Sequence, residues 1–295
     1  MPPLVSIVTP SLNMVEYLEA TILSVLSQDY QPIEYIVLDA GSTDGSAGIL
    51  KRYQDRIDVV VGPDDGPADA IHKGLLRAKG EIVAWLSADD LLLPGAVRAA
   101  VNALETHPEA AGVYGAAEWI QASGKVIGPY PTTEFSTAAL QAECFICQPA
   151  CFFRKRVYLA AQGIDKSLRY TFDWDLWMRM SKVAPFIYVN DLWAQSRMHA
   201  SNLTLGQRGQ VLEESVALLR RTIGYIPVRW VYGWMTYREQ PSDQFFDVPP
   251  RSPWRYLRTL WLGMKWNKGQ MGRYAGEWMQ GLRAYRPFAN RPHRG

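Results

Sequence analysis

Two adjacent carboxylates, Asp89 and Asp90, directly follow an apolar segment at residues 82–86. A segment that is apolar at every position is typical of a strand buried in a parallel sheet. Because a charge is costly inside a core, we expect both side chains to lie just beyond the carboxyl end of this strand, where open α/β sheets bind ligands. Paired carboxylates there favour a divalent cation. One of the two could instead cap the helix that is predicted after Pro94.

Carboxylates also follow two other predicted strands. Asp39 closes the strand at residues 35–39, and Asp65 follows the strand at residues 59–61. If the sheet is parallel, these side chains gather at one edge together with the aspartate pair. A crevice so rich in carboxylates repels a free anion, so a nucleoside diphosphate would enter only with a bridging cation, and oxygen ligands suit Mg²⁺ or Mn²⁺. The sequence has no GxGxxG turn and no Walker loop, which argues against a dinucleotide dehydrogenase and a P-loop enzyme.

Alternating strands and helices must position these residues. The first half of the chain predicts a βα repeat, which indicates an α/β fold with a mostly parallel sheet and helices on both faces. The predicted strands lie at residues 4–8, 35–39, 59–61 and 81–87, and the predicted helices at residues 17–28, about 49–53 and 68–79. The second half predicts a hairpin at residues 112–127, a helix at 173–180, a strand at 186–189 and a helix at about 207–221.

Composition bounds the class of protein. The chain has 295 residues, of which 48% are hydrophobic, and this is ample for a core. It has no apolar run of the roughly 18 residues that a membrane span needs, and no basic leader before an apolar segment. We therefore expect a cytoplasmic protein, without a nucleic-acid partner. Cys144, Cys147 and Cys151 lack a fourth ligand for zinc, and their β-like segment argues against a redox CxxC motif, so we interpret them as buried apolar side chains.

Four segments together resemble the family 2 inverting glycosyltransferases of GT-A fold. They are VSIVTPSLN at residues 5–13, YIVLDAGSTDGS at 35–46, GPDDGPADAIHKG at 62–74 and GEIVAWLSADD at 80–90. Each segment alone is a weak signal, but their ordered set is specific, and the resemblance covers roughly residues 1–205. It implies a nucleotide-sugar donor. It also implies a DxD-like element at Asp89 and Asp90, although this chain lacks a strict Asp-x-Asp.

The same resemblance assigns residues to the donor and its metal. Asp90 would be the principal ligand of Mn²⁺ or Mg²⁺, with Asp89 beside it at the donor. Asp39 would contact the base of the nucleotide. The other donor residues would be Thr9, Pro10, Ser11 and Ser42 around the nucleoside, and Asp65 and Asp69 beside the nucleotide and the sugar.

The second half of the chain supplies the acceptor side of the resemblance. The segment YTFDWDLWMRM at residues 170–180 resembles the family's Glu-Asp-x-Asp-Leu segment, in which the residue that matches Asp173 is the general base. Phe172 replaces the glutamate, which changes the acceptor environment. The alternative for Asp173 is an N-cap of the helix that begins there. Asp175 is then the structural carboxylate in the first turn of that helix.

Two shorter elements also resemble the family. The segment at residues 148–150, Gln-Pro-Ala, precedes the segment that leads to the acceptor loop, and a simple turn between strands is its alternative. Arg197-Met-His199 resembles an Arg-x-His element placed near the donor diphosphate, which assigns His199 to the metal or to a phosphate. A purely structural histidine is the alternative.

The implied reaction is a single displacement at the anomeric carbon with inversion of its configuration. Asp173 would take the proton from an acceptor hydroxyl, and a metal at Asp90 would stabilise the leaving nucleoside diphosphate. The resemblance suggests a saccharide or lipid-linked saccharide acceptor, in surface polysaccharide or glycolipid assembly. One alternative is a sugar-phosphate nucleotidyltransferase, whose glycine-rich loop after the first strand is missing here. The other is a non-catalytic carbohydrate- or membrane-docking protein, which would not explain the ordered carboxylate loops.

Charge divides the chain into two regions. Residues 220–295 contain 14 Lys and Arg against 4 Asp and Glu, a net charge of +10, whereas the rest contains 17 against 25 and carries −8. We predict a glycosyltransferase domain at residues 1–222, with a donor half at about 1–110 and an acceptor half at about 111–222. Residues 223–295 are predicted to form a basic, Trp-rich helical extension.

A helix predicted at residues 254–266 carries most of this basic and aromatic character. Helical spacing puts an apolar group on one side, with three cations, Arg255, Arg258 and Lys265, largely off it. The apolar group is Trp254, Leu257, Trp261 and Met264. Such a helix can lie on an anionic membrane surface, which would make the protein peripheral on the inner face of the cytoplasmic membrane. The alternative is contact with the catalytic domain or with a second subunit in a homo-oligomer.

Overall fold

The structure, a computed structural model, describes residues 2–284, so residues 285–295 of the predicted extension lie outside the described part. The chain divides into two compact units, Met1–Ala200 and Ser201–Gly295. We call them the sheet unit and the helical unit. The structural division comes before the predicted functional boundary at residue 222, so the helix predicted at 207–221 belongs to the helical unit. The predicted functional boundary itself stays a prediction.

One mixed sheet organises the sheet unit. Its strands are β1 Val5–Ser11, β2 Ile33–Asp39, β3 Asp58–Val61, β4 Ile82–Trp85, β5 Leu91–Leu92, β6 Gly112–Gln121, β7 Val126–Pro129, β8 Cys151–Arg154 and β9 Phe186–Met198. They run in the order β3-β2-β1-β4-β8-β6-β9-β5, with β7 paired to β6. Strands β1 to β4 pair in parallel, as the βα repeat predicts, and β6 pairs in parallel with β9. Strand β8 is antiparallel to both of its neighbours.

Helices cover both faces of the parallel half. Alternate residues of β1 point to opposite sides, as the twofold period of a strand requires. Ile7 packs in one buried cluster with Leu18 and Ile22, whereas on the other face Val8 contacts Gly74, where an added Cβ would lie only 2.4 Å from Val8 Cγ1. The helices of this unit are α1 Leu18–Leu26, α2 Ser46–Tyr53, α3 Pro67–Arg77, α4 Ala96–Thr106, α5 Thr137–Ala142, α6 Lys155–Ala160 and α7 Phe172–Met180.

The second half of the sheet unit departs from the simple pattern. The hairpin predicted at residues 112–127 is confirmed as β6 and β7. Strand β9 is longer than predicted, because it continues from residue 189 through an exposed stretch at 190–192 to Met198. The two-residue strand β5 pairs with this continuation. The segment at residues 148–150 forms a short 3₁₀ turn before β8.

Helices alone form the described part of the helical unit. They are α8 Leu203–Gly206, α9 Arg208–Ile223, α10 Val228–Glu239, α11 Pro253–Trp266 and α12 Met271–Ala284. Aromatic side chains dominate its core, where Tyr256 of α11 stacks on Trp278 of α12 with 5.5 Å between ring centroids. Ser252 caps α11 by accepting a hydrogen bond from the backbone N–H of Arg255. Within residues 2–284, no helix is both long and apolar enough to cross a bilayer.

Candidate functional site

The carboxylate loops gather at one edge of the sheet. Asp39, the last residue of β2, is the register partner of both Ser11 at the end of β1 and Val61 at the end of β3. Trp85 ends β4 beside β1. Because these four strands are parallel, the loops that follow them emerge at the same carboxyl edge. The expected convergence of the loops that carry Asp39, Asp65 and the aspartate pair is therefore observed.

Asp39 is buried, and its carboxylate organises the loop that follows it. The carboxylate accepts hydrogen bonds from the backbone N–H groups of Gly41 at 3.1 Å and Ser42 at 2.8 Å, and from Ser42 Oγ at 2.5 Å. Beside it, the buried Ser11 Oγ has no hydrogen-bond partner among the described residues. An unsatisfied buried hydroxyl is costly unless a ligand or water completes it. Ser11 and Asp39 thus line a polar position at the edge of the sheet.

Thr9 and Pro10 occupy different environments from Ser11. Thr9 is fully buried within the sheet, and its Oγ1 lies 3.0 Å from the hydroxyl of Tyr35 on β2. Burial raises the pKa of that tyrosine, so it stays a neutral hydrogen-bonding group. Pro10 is half-buried. Of the three predicted residues on β1, Ser11 is therefore the one whose side-chain hydroxyl has no hydrogen-bond partner among the described residues.

Two residues outside the predicted set fasten the first two loops together. Asn13 has a left-handed backbone, with φ of +54°, and its N–H donates to Ser42 Oγ at 2.8 Å. Its Oδ1 accepts from the backbone N–H of Thr43 at 2.9 Å. Asp44 accepts from the backbone N–H of Val15 at 2.8 Å. Asn tolerates this backbone region better than most residues, which is the signal that could have singled out Asn13.

The aspartate pair lies directly after β4, and strand β9 holds it. Asp90 Oδ1 accepts a 2.7 Å hydrogen bond from the backbone N–H of Arg197, and Asp89 Oδ2 lies 2.9 Å from His199 Nε2. Both aspartates are buried. Burial, with a further contribution from the charge of Asp89, raises the pKa of Asp90 well above its usual range. Neither aspartate caps the next helix, because α4 begins after Gly95.

Arg197 holds the turn of the aspartate pair through its side chain as well. Its Nε donates to the backbone carbonyl of Asp89 at 2.8 Å, and its Nη1 donates to the carbonyl of Ala122 at 2.8 Å. The guanidinium lies 4.9 Å from the ring centroid of Tyr17, and the ring of His199 lies 5.0 Å from the same ring. Arg197 and His199 therefore position the two carboxylates, a role that sequence analysis did not assign to Arg197.

The pair fits a metal that is shared with a phosphate-bearing ligand. In the described part of the chain, no group of three or more His, Cys, Asp and Glu side chains is placed to hold one ion. Mg²⁺ in nucleotide-binding enzymes usually takes one or two carboxylates and completes its shell with phosphates and water. Two buried neighbouring carboxylates, Asp89 and Asp90, match that donor set. His199 contacts the carboxylate of Asp89. The predicted principal metal ligand is the neighbouring residue, Asp90.

Asp65 and Asp69 lie in the loop between β3 and α3 but differ in environment. Asp65 is exposed, and its backbone N–H donates to Asp69 Oδ2 at 3.2 Å. Asp69 is buried and forms ion pairs with Lys73 at 2.6 Å and with Lys166 at 3.0 Å. Hydrogen bonds from these two lysines hold the pKa of Asp69 well below its usual range. Asp69 therefore has a clear structural role at the start of α3.

Asp173 lies in the first turn of α7, and it is not the N-cap. The helix begins at Phe172, and Thr171 occupies the N-cap position. Asp173 is half-buried, and its Oδ1 lies 2.7 Å from the backbone nitrogen of Trp174. Asp175, by contrast, is buried and forms an ion pair with Arg179 at 2.6 Å. The two carboxylates of this turn thus have different environments, and Asp175 is the one that is buried in an ion pair with its own helix.

Contacts at the end of β4 bring α7 towards the aspartate pair. Trp177 of α7 stacks on Trp85 with 5.2 Å between ring centroids, and Gln148 Nε2 donates to the carbonyl of Trp85 at 2.6 Å. The thiol of Cys147 is buried, which raises its pKa, and the charges of Asp90 and Asp173 raise it further. Helix α7, which carries Asp173, therefore packs against the end of the strand that precedes the aspartate pair.

All three cysteines are free thiols, as expected from their interpretation as apolar side chains. Cys147 and Cys151 are buried, and Cys144 is partly exposed. Burial raises the pKa of each thiol, so all three stay protonated and unreactive at neutral pH.

Comparison with protein families agrees with the motifs. The family model described as glycosyl transferase family 2 matches residues 6–161, more than half of the chain. An uncharacterized glycosyltransferase of Rickettsia typhi is 31% identical over 229 residues, which cover 73% of this chain and 70% of that protein. Chondroitin synthase of Escherichia coli is 26% identical over 69% of this chain, and hyaluronan synthase of Pasteurella multocida is 26% identical over 70%. This chain spans only 30% and 22% of the length of those two synthases.

Solved structures support the predicted fold. S. aureus TarS, residues 1–349, matches 95% of this chain and 84% of its own with a TM-score of 0.61 and 14% identity. The mannosyltransferase PcManGT from Pyrobaculum calidifontis, solved in complex with GDP-Man and Mn²⁺, matches 96% of this chain and 79% of its own with a TM-score of 0.60 and 17% identity. These neighbours have the GT-A fold, so the predicted fold class is confirmed.

Proposed function

The chain belongs to glycosyltransferase family 2, and from this premise we propose that it transfers a sugar from a nucleotide-sugar donor to a hydroxyl of a saccharide or lipid-linked saccharide, with inversion. One observation carries the proposal. The buried pair Asp89 and Asp90 lies at the carboxyl edge of the parallel strands, and Asp173 lies on α7, whose Trp177 stacks on Trp85 at the end of the strand before the pair. This arrangement suits a donor bound between a metal and a base.

The donor would bind along the carboxyl edge of β1, β2 and β4. Ser11 supports the nucleoside position because its buried hydroxyl lacks a partner among the described residues. Asp39 and Ser42 form a preorganised polar loop beside it. The rest of the proposed donor set keeps the assignments made from the resemblance, and it comprises Thr9, Pro10, Asp65, Asp69 and Asp89.

Asp90, with Asp89 and His199 beside it, would hold Mn²⁺ or Mg²⁺ together with the donor diphosphate. When bound, this ion supplies Lewis-acid stabilisation of the charge that develops on the leaving diphosphate. The PcManGT structure, which contains GDP-Man and Mn²⁺, is a precedent for such an ion in this fold. The backbone N–H of Arg197 holds the carboxylate of Asp90 and the side chain of His199 holds that of Asp89, so the donor does not have to order them on binding.

Asp173 would act as the general base. Its carboxylate would accept the proton of the acceptor hydroxyl while that oxygen attacks the anomeric carbon from the face opposite the leaving diphosphate. The stacking of Trp177 on Trp85 fixes α7 against the end of β4, which supports a constant position of Asp173 relative to the donor. Inversion follows from a single displacement of this kind, because no protein nucleophile intervenes.

The proposed acceptor class is a growing saccharide, and the proposed pathway class is surface polysaccharide or glycolipid assembly. Chondroitin synthase and hyaluronan synthase, which match similar shares of this chain, are polysaccharide synthases by name. The family match favours glycosyl transfer over nucleotidyl transfer and over a non-catalytic docking role. Contact with an anionic membrane surface is a separate proposal that depends on the helical unit.

The test is a thermal-shift screen of nucleotide sugars with and without Mn²⁺, followed by donor hydrolysis with the best ligand. A ligand that binds only the folded state raises the midpoint of unfolding, and at a concentration of 100 Kd it adds about 2.7 kcal/mol. We expect one nucleoside class to raise the midpoint only with Mn²⁺, and its sugar to be released as the inverted anomer. If no nucleotide sugar shifts the midpoint in either condition, or if the released sugar retains its configuration, the proposal is wrong.

A further inference from the structure

Helix α11 of the helical unit turns one face towards its own core and presents a second face to solvent. Tyr256, Thr259 and Gly263 are buried on the core side. At Gly263 the ring of Tyr274 comes so close that an added Cβ would lie 1.8 Å from its Cζ, which fixes the rotation of the helix about its axis. The opposite face is therefore held outward by close contacts in the core of this unit.

Large aromatic side chains occupy the outward face. Trp254 is 76% exposed and Trp261 is 73% exposed, and Leu257 between them is 43% exposed. Seven residues make about two helical turns, so the two indoles project in nearly the same direction roughly 10 Å apart. We call Trp254, Leu257 and Trp261 the indole face. Tryptophan is normally highly buried in a folded protein, so two such exposed indoles on one face indicate a binding surface.

Positive charge surrounds the indole face. Residues 248–276 contain no Asp or Glu but contain six basic residues. Arg255 and Arg258 form ion pairs with Glu239, which reduces their contribution to the positive charge around the indole face. Lys265 is exposed, and its Nζ lies 5.7 Å from the ring centroid of Trp261. The other three basic residues of this stretch, all exposed, are Arg251, Lys268 and Arg273.

We propose that the indole face binds the surface of an anionic lipid bilayer, with Trp254 and Trp261 at the boundary between headgroups and acyl chains. Indole rings favour this boundary because they combine an apolar body with a polar N–H. Lys265 and Lys268 lie on or just beyond the same helix, where they would meet anionic headgroups. A stretch that contains no carboxylate is complementary in charge to an anionic bilayer surface. The inference concerns location, and it is independent of the proposed chemistry.

The structure resolves the sequence-based alternatives for this helix in part. Trp254 and Trp261 do not pack into the core of the helical unit, whereas Arg255, which was expected to lie off the apolar side, is buried against Glu239. Arg258 and Lys265 are exposed on the same side as the indoles, whereas the sequence predicts that they lie largely off the apolar side of the helix. Aromatic rings and cations on one exposed face are the pattern that interfacial helices use.

Sedimentation of the full chain with vesicles tests the proposal. Vesicles of phosphatidylcholine mixed with phosphatidylglycerol are compared with vesicles of phosphatidylcholine alone, at low and at high salt. We expect binding to the anionic vesicles, weakened by salt. The double variant Trp254→Ala/Trp261→Ala should lower the partition coefficient of the protein between vesicles and water by about tenfold or more. A loss of this size is expected when even one large apolar side chain is no longer buried in the bilayer. Brominated phosphatidylcholine in the same vesicles should quench the tryptophan fluorescence of the wild type.

A matched control removes two exposed apolar side chains elsewhere in the same unit. Phe246 and Val248 are 49% and 64% exposed and lie outside α11. The variant Phe246→Ala/Val248→Ala should bind vesicles as the wild type does. The variant Lys265→Gln/Lys268→Gln should lose affinity for anionic vesicles only. Both Trp positions are exposed, so their replacement should leave the unfolding midpoint and metal-dependent donor binding unchanged.

Three results would overturn the proposal. One is the absence of wild-type binding to anionic vesicles at low salt. A second is equal binding by the wild type and the Trp254→Ala/Trp261→Ala variant. The third is concentration-dependent dimerisation, measured by analytical ultracentrifugation, that disappears in that variant while vesicle binding is absent, because it would assign the indole face to a second copy of the chain. Donor binding measured on the same samples shows separately whether the proposed enzymatic function holds.

Discussion

Asp90 and Arg197 meet across the sheet unit: the backbone N–H of Arg197 donates a 2.7 Å hydrogen bond to Asp90 Oδ1, although 107 residues separate them in the chain. The same arginine donates from Nε to the carbonyl of Asp89. The turn after β4 is therefore held from β9 through both backbone and side chain. A carboxylate held so firmly in a buried position can bind a ligand without reorganising.

The first prediction follows from this relationship. In Asp90→Asn the side-chain oxygen can still accept the hydrogen bond of Arg197, so the fold should remain intact. The loss of the negative charge should weaken metal-dependent binding of a nucleoside diphosphate by about 100-fold or more. This is more than the loss expected when a residue that only orients a metal ligand is replaced. Calorimetry with a nucleoside diphosphate and Mn²⁺ measures this change.

Asp64→Asn is the matched control for that experiment. Asp64 lies at the same edge of the sheet, and its Oδ1 accepts a hydrogen bond from the backbone N–H of Gly66 at 2.9 Å. The amide can keep that hydrogen bond, and no role at the metal is assigned to this residue. We expect wild-type affinity in the control. Unchanged affinity in Asp90→Asn would remove Asp90 from the metal site.

The second prediction separates binding from chemistry. Asp173→Asn should bind donor and metal normally but lose transfer by roughly 10²- to 10⁴-fold, the usual effect of removing a general base. Asp175→Asn should lose stability while it keeps transfer close to the wild-type rate. It breaks a buried ion pair with Arg179, so it should lower the free energy of unfolding by about 3 kcal/mol. Steady-state transfer and urea unfolding of both variants check this contrast, and loss of stability alone in Asp173→Asn would contradict the base assignment.

The parallel half of the fold could be predicted because each of its strands and helices has a recognisable apolar pattern within its own segment of the sequence. Each strand from β1 to β4 is a short apolar run, and each following helix has its own apolar face. The carboxylates at the strand ends could be placed together because parallel strands bring their carboxyl ends to one edge. This reasoning brings the loop of Asp39 to the same edge as the loop of the aspartate pair, and the parallel pairing of β1 with β2 and with β4 agrees with it.

The partners of the aspartate pair could not be predicted in the same way. Strand β9 is interrupted at residues 190–192 by exposed positions, which broke the apolar pattern and ended the predicted strand at residue 189. The contact between Asp89 and His199 spans 110 residues, and no local period reports such a contact. Arg197 gave no signal from spacing alone, because its role depends on three carbonyls brought together by the sheet.

The third prediction concerns pH. Hydrogen bonds from Lys73 and Lys166 lower the pKa of Asp69 in the folded state relative to about 3.9 when unfolded, so its stabilising effect is complete above that value and is lost as the pH falls through the folded-state pKa. Asp69→Asn should therefore cost about 1–3 kcal/mol near neutral pH, a range lowered because both lysines are half-exposed. The difference from the wild type should shrink as the pH falls below about 4.

Urea unfolding of wild type and Asp69→Asn across this pH range is the measurement. Asp58→Asn provides a control, because Asp58 forms an ion pair with Arg77 in which both side chains are largely exposed. Exposed pairs contribute about 0–1 kcal/mol, so this variant should change stability little at any pH. A constant difference between Asp69→Asn and the wild type from neutral to acid pH would contradict the role of the lysines.

The last prediction tests the close approach of α11 and α12. At Gly263 an added Cβ would lie 1.8 Å from Tyr274 Cζ, and the hydroxyl of Tyr274 donates a 2.9 Å hydrogen bond to the carbonyl of Thr259, so the ring cannot move without breaking that bond. Gly263→Ala should lower the stability of the helical unit by about 1–3 kcal/mol. At Gly276 of α12, an added Cβ meets nothing within 4 Å, so Gly276→Ala should raise stability by about 0.5–1 kcal/mol through helix propensity alone. Thermal unfolding of the two variants should therefore shift in opposite directions, and a shift in the same direction would show that α11 does not depend on Tyr274 for its position.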